Sequence, residues 1–342
     1  MPSLFTWKGR IKNFLACVFY RTGILFLLDR ILLKDRCVVL AYHRVCDERG
    51  GGIPAEEGMT VTPETFEEHL KYLTARYRII SLEEFLSSLS VGRPLGKVCL
   101  LTFDDGWLDN YENAFPLLRK YNVPATFFLT TNYIGTRDWF WPEKVNYILS
   151  HSQPLSPEFC RTEEARQAAR IFRSSAHNPA EGIHETIAFL KQFPAGTIEE
   201  VIEDLLRASG METLPRLRAM LDWSEVCHMA RHGISFGSHT KSHAILTQVQ
   251  DPKEIEQEIL GSRHAITERT GKAPAAFCFP NGDYDDSLLR TVRDSGYTAA
   301  FIGQRGTVVA HDDPYRLKRI MIHQAAAPNR ARLACRILFP WF

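Results

Sequence analysis

The sequence has almost no surplus of charge: 41 lysines and arginines face 40 aspartates and glutamates, a net of +1 at pH 7. That balance, with 24% charged residues, suits a soluble globular protein and gives no reason to expect a nucleic acid partner. Closely spaced cysteine pairs are also missing. The eight cysteines, at positions 17, 37, 46, 99, 160, 227, 278 and 335, are scattered. Such scatter argues against a disulfide scaffold and a thiolate zinc site, and it fits a reducing compartment. No apolar run reaches the roughly 20 residues that a membrane-crossing helix needs. Residues 14–20 are apolar, but Arg21-Thr22-Gly23 interrupts before the next run at 24–28. A secretory signal would end in small residues, and Arg21-Thr22 stands where cleavage would fall.

Both ends of the chain combine basic and apolar residues. Lys8, Arg10 and Lys12 precede the apolar runs, so residues 1–36 read as a helix lying in a membrane interface. Residues 325–342 repeat this chemistry, with Arg330, Arg332 and Arg336 beside Leu338, Phe339, Trp341 and Phe342. Packing of both ends on the body of the protein, or on a partner chain, is the other reading. The expected location is cytoplasmic and peripheral on the inner membrane; the alternative is an anchored protein facing the periplasm or exterior.

At 342 residues the chain can bury a large core, as one domain with an insertion or as two domains. Strand-like runs at 37–42, 98–103, 125–129, 234–237, 275–279, 298–302 and 317–322 alternate with helical segments. Thr62-Pro63 opens one helix with an N-cap and a proline at the first position, and Ser81-Leu82-Glu83-Glu84 opens another as a capping box. This alternation predicts an α/β fold with a parallel sheet, open or closed into a barrel. Between residues 133 and 221 the strand signals stop and helical segments such as 198–208 take over, which predicts a helical insertion.

Two short segments carry the chemistry. Thr102-Phe103-Asp104-Asp105-Gly106 ends a buried strand on two adjacent carboxylates, and strand neighbours point to opposite sides. Ser238-His239-Thr240-Lys241-Ser242-His243 follows another strand and sets two imidazoles four residues apart, the spacing of one face of a helical turn. One carboxylate and two imidazoles make a three-ligand site with a position open for water, as catalytic zinc is held. The other carboxylate is left as a base. Such motifs at strand C-terminal ends favour the barrel.

These two segments resemble the first two motifs of the polysaccharide deacetylases, the NodB-type carbohydrate esterases. The resemblance covers residues 37–324, the insertion excepted, and implies a distorted TIM-like (β/α) barrel. It also implies a divalent metal, most simply zinc, held by Asp105, His239 and His243, with Asp104 as general base. The third family motif, Arg-x-Pro-Tyr, corresponds to Cys278-Phe279-Pro280-Asn281, so Pro280 and Asn281 would line the substrate, with a backbone amide near Asn281 for the oxyanion. The fifth, Leu-x-His, corresponds to Met321-Ile322-His323, making His323 the acid that protonates the leaving amine. Trp139, Phe140 and Trp141 would stack on sugar rings or pack the insertion onto the barrel. His43, ending the first strand, would face the site or serve as a structural hydrogen-bonder.

Two departures stand out. Cys278 replaces the arginine that orients the aspartate base in the family, and Arg316 or Arg319 is the candidate to supply that charge. The Asp-x-x-Asp-Trp motif has no clear counterpart. The implied activity is metal-dependent removal of N-acetyl groups from amino sugars of a polysaccharide, oligosaccharide or lipid-linked glycan. The alternatives are a deformylase of a lipid-linked amino sugar and a carbohydrate-binding protein without turnover.

Overall fold

A computed structural model of the chain describes residues 7–47, 53–55, 58–151, 155–175, 177–340 and 342. Its strands are β1 (Cys37–Tyr42), β2 (Arg44–Val45), β3 (Thr60–Val61), β4 (Arg78–Ile79), β5 (Val98–Phe103), β6 (Ala125–Leu129), β7 (Ile234–Ser238), β8 (Ala276–Cys278), β9 (Ala299–Arg305) and β10 (Leu317–Met321). Every strand expected from the sequence is present, within three residues of its predicted ends. The sheet runs β1-β10-β9-β8-β7-β6-β5, and β5 pairs back onto β1 from Cys37↔Val98 to Tyr42↔Phe103. All of these ladders are parallel, so seven strands close into a distorted (β/α) barrel. β4 lies outside the ring on β5, and β2 pairs only with β3. These three strands have two residues each, too few for a periodic pattern to show in sequence.

Alternate residues along the strands serve different cores. Val39, Leu100, Phe128, Cys278, Phe301 and Leu317 share one buried cluster, while their neighbours Leu40, Leu101 and Phe127 join another. The first set fills the barrel. Gly237 makes room for it: a Cβ there would lie 2.4 Å from the Phe128 ring and 2.9 Å from the Ala276 carbonyl. The faces of β5 and β7 that carry Leu100 and Gly237 continue, two residues at a time, to Asp104 and His239. The fill of the barrel therefore leads directly to its functional end.

Helices α1 (Trp7–Arg21), α2 (Ile24–Leu32), α3 (Pro63–Arg76), α4 (Leu82–Ser90) and α5 (Phe115–Lys120) belong to this unit. Thr62 caps α3 by accepting from the Thr65 amide at 3.2 Å. Ser81 caps α4 in the same way, but Glu84 pairs with Arg78, so only half of the expected capping box forms.

A second compact unit comprises Arg137–Ala219 with Asp47–Glu57, instead of residues 133–221. The strip before Arg137 stays with the barrel because Gly135 N–H donates to Leu221 at 2.8 Å and Leu221 N–H to Gly106 at 2.9 Å. The unit holds α6 (Trp141–His151), α7 (Glu163–Ser174), α8 (Pro179–Leu190) and α9 (Ala195–Ala208) around its own core, including Val145, Ile148, Ala168 and Leu205. Trp139 is not a sugar platform. It is 2% exposed, and its indole N–H donates to the Leu217 carbonyl at 2.9 Å. Phe140 is buried too, and Trp141 packs half-buried against the unit's core. Burial of aromatic area stabilises this helical unit and removes the rings of Trp139 and Phe140 from any substrate.

The barrel unit continues through α10 (Trp223–Ala230), α11 (Pro252–Thr270), α12 (Asp286–Asp294) and α13 (Arg330–Leu338). Residues 325–342 turn inward rather than outward. Leu338, Phe339 and Phe342 pack on the barrel core, and Arg305 donates to the carbonyls of Arg336, Phe339, Pro340 and Phe342. Arg332 is buried and donates to Ala326, so its charge serves the fold; Trp341 lies outside the described residues. The N-terminal segment is two helices, broken at Gly23, whose φ of 77° glycine adopts without strain. Among the described residues no helix is long and apolar enough to cross a membrane.

Candidate active site

The Asp-Asp-Gly turn sends its two carboxylates apart. Asp104 continues the interior face of β5, whereas Asp105 takes a φ of 76° and Gly106 a φ of 90°. The left-handed conformation is costly for a non-glycine residue and is tolerated at sites where the surroundings enforce it. Gly106 is required on two counts, because a Cβ there would also meet the Ile134 side chain at 2.7 Å.

Asp105 is 2% exposed. Its Oδ2 accepts the Trp107 indole N–H at 2.8 Å, and its Oδ1 faces His239 Nε2 at 3.5 Å and His243 Nε2 at 3.3 Å. No hydrogen-bond donor among the described residues satisfies that buried Oδ1. One ligand atom from each of the three residues lies within 4.8 Å of the others. The orientation of His239 is fixed: its Nδ1 lies 2.7 Å from the Cys278 carbonyl, so Nδ1 carries the proton and Nε2 presents its lone pair to Asp105. Burial pushes the His239 pKa down to about 4, which keeps the ring neutral. Burial alone would raise the Asp105 pKa, but the neighbouring His243, then His43 and His239, hold it below the usual carboxylate range. An ionised carboxylate with an unsatisfied buried oxygen, faced by the Nε2 atoms of two imidazoles, is the donor set that a divalent ion needs.

The histidine pair is not on a helix, as its spacing suggested. Thr240 and His243 have φ of 63° and 64°, and residues 239–243 form a loop. Glu258 of α11 shapes it by accepting from the amides of Lys241 and Ser242 at 2.8 and 2.9 Å and from the Ser242 hydroxyl at 2.8 Å. No local pattern marks Glu258 for this task, so sequence reading missed it. Trp107 was missed as well, although its place two residues after Asp105 was the available signal.

Asp104 is held by Arg319 of β10, whose guanidinium donates to Oδ1 at 2.7 Å and to Oδ2 at 2.8 Å. Burial would raise the pKa of this carboxyl, but Arg319, with His239 and His43, keeps it low and ionised. Of the two arginines considered, Arg316 does not take part; it pairs with Asp286. Cys278 sits with its Sγ 3.9 Å from both Asp104 oxygens, and burial keeps its thiol protonated. The grip of Arg319 on both Asp104 oxygens argues against a second ligand set of Asp104, His239 and Cys278, which are also mutually close.

His43 faces the site, with Nε2 at 3.8 Å from Asp104 Oδ2. His323 follows β10, and its buried Nδ1 has no hydrogen-bond partner among the described residues. Burial, then the charge of Arg336, pushes its pKa down to about 4. Pro280 is buried just after β8, and exposed Asn281 donates to Asp283 at 2.5 Å. The nearby Gly282 amide is already taken by the Phe279 carbonyl at 2.9 Å.

The sequence profile of polysaccharide deacetylases matches residues 92–300, more than half of the chain and the whole span from the Asp-Asp turn to Cys278. The chain belongs to the polysaccharide deacetylase family. The deacetylase relatives include the Bacillus subtilis protein YxkH, itself assigned to these enzymes, at 21% identity over 83% of this chain and 70% of that protein. The poly-beta-1,6-N-acetyl-D-glucosamine N-deacetylase of Staphylococcus epidermidis is 31% identical over 31% of this chain, and the match spans 40% of that enzyme. Among solved deacetylase structures, Streptococcus pyogenes PplD in complex with acetate aligns with TM-score 0.57 and 20% identity, covering 90% of this chain and all of that one. IcaB from Ammonifex degensii aligns with TM-score 0.57 and 19% identity over 88% and 97% of the two chains. This deacetylase is thus built on the fold that its motifs predicted.

Proposed function

We propose that the protein is a metal-dependent N-deacetylase of N-acetylated amino sugars in a glycan. The observation that carries this reading is the division of labour between adjacent carboxylates: Asp105 turns a bare oxygen to two imidazoles, while Asp104 is clamped by Arg319. Asp105, His239 and His243 are the residues that would hold the ion. Zinc bound there would acidify a water and polarise the amide carbonyl. Asp104, already ionised, accepts the proton of the attacking water, and the C–N bond breaks to give acetate and an amine. Arg319 keeps that carboxylate oriented through the reaction. His323 is the candidate to protonate the amine; because its ring is neutral beforehand, the proton must reach it during turnover. The named activity of the Staphylococcus epidermidis relative makes β-1,6-linked N-acetylglucosamine oligomers the first substrate to try.

The test is acetate and formate release from such oligomers, from β-1,4-linked ones and from lipid-linked N-acetyl sugars, by zinc-loaded protein and by Asp104→Asn. Acetate release that Asp104→Asn abolishes while still binding zinc supports the proposal. Formate release alone would make it a deformylase. Absence of both products with every substrate, from metal-loaded protein, would sink the catalytic reading and leave a carbohydrate binder.

A further inference from the structure

Exposed apolar side chains are concentrated at one place. Of the twelve large apolar residues most exposed among those described, nine lie on α1 and α2. On α1, Ile11, Phe14, Leu15 and Val18 recur at intervals of three and four, which places them on one face, and they are 38 to 68% exposed. Ala16 on the opposite side is fully buried, and α1 packs there against α13. On α2, Ile24, Leu27 and Ile31 repeat the pattern at 44, 58 and 63% exposure. The rotation of α2 is fixed by its other face, where Leu25, Asp29 and Leu33 are buried. Asp29 accepts from the Tyr77 hydroxyl and pairs with Lys97. A buried carboxylate bound in this way specifies which side of the helix faces outward.

The margin of the apolar face is cationic. The first 36 residues hold seven basic and two acidic residues, one of the latter being the buried Asp29, in a chain whose net charge is only +1. Arg10, Arg21, Arg30, Lys34 and Arg36 are all exposed. Two copies meeting through this face would bring like charges together, whereas an anionic surface would complement it. At 15 and 9 residues the helices are too short to cross a bilayer, but they suit burial in its headgroup boundary.

We propose that α1 and α2 dock this protein in the plane of an anionic phospholipid surface. The inference is independent of the catalytic reading and is tested without an activity assay. The 342-residue chain is sedimented with vesicles of phosphatidylcholine alone and with about one-third phosphatidylglycerol. Binding to the mixed vesicles, weakened by high salt, is expected. A Phe14→Ser, Leu27→Ser variant should bind at least about tenfold more weakly, with its thermal unfolding unchanged because both side chains are exposed. Arg21→Gln and Arg30→Gln should each weaken binding about fivefold. Failure to sediment at low salt, or sedimentation that none of these variants reduces, would overturn the proposal. So would a lipid-free dimer that the Phe14→Ser, Leu27→Ser variant dissociates, since the face would then join copies of the chain.

Discussion

The guanidinium of Arg319 clamps both oxygens of Asp104, reaching from β10 to the end of β5 at 2.7 and 2.8 Å. It takes on the orienting task that the family's third motif gives to an arginine, and Cys278 occupies that arginine's place in the motif. The same interaction that keeps the carboxyl ionised also fixes its direction. A planar fork can do both; an ammonium group supplies only charge.

Arg319→Met should therefore lower kcat by about 100-fold or more, and Arg319→Lys should not restore it. Leaving Asp104 buried without its partner should also destabilise the fold by about 3–5 kcal/mol. Cys278→Ala should be much milder, because the thiol makes only long contacts at 3.9 Å. Steady-state acetate release and denaturant unfolding of the three variants check this.

Trp107 orients Asp105 through its indole N–H and stacks under Arg44, whose guanidinium carbon lies 4.5 Å from the ring centroid. Trp107→Phe keeps the ring and deletes the hydrogen bond. Zinc affinity should fall by about 10- to 100-fold, read by competition with a chromophoric chelator, with little loss of stability. An unchanged affinity would remove Trp107 from the metal site.

Gly237→Ala tests the packing that supports the site. The new methyl would collide with the Phe128 ring at 2.4 Å inside the barrel. Overpacking of this kind costs about 1–3 kcal/mol, visible as a lower Tm, and His239 two residues on should lose metal affinity with it.

His69 sets a pH dependence of stability. It is fully buried, its Nε2–H donates to the Ala327 carbonyl at 2.8 Å, and its Nδ1 lies 3.1 Å from the Tyr42 hydroxyl. Burial lowers its pKa from 6.5 to about 4. As pH falls through this window, the unfolded chain takes up a proton that the folded one refuses, so stability is lost toward acid. The loss is on the order of 3 kcal/mol at most. His69→Gln should flatten that part of the curve, measured as urea midpoints between pH 7.5 and pH 4.

The sequence by itself determined the barrel strands, the Asp-Asp turn and the histidine pair, because each depends on short-range pattern: a buried run, a turn-forming glycine, a fixed spacing. It also determined the family. Tertiary structure alone decided that Arg319, more than 200 positions from Asp104 in the chain, is its partner, since closure of the sheet brings β10 and β5 together on either side of β1. It decided that the histidines sit on a loop shaped by Glu258, that Trp139 is core, and that Arg332 and Arg336 bind carbonyls while Arg330 pairs with Glu68. These outcomes share a physical cause. A side chain's partner across a closed barrel is set by strand register and by which face is buried, and neither is written in the residues next to it.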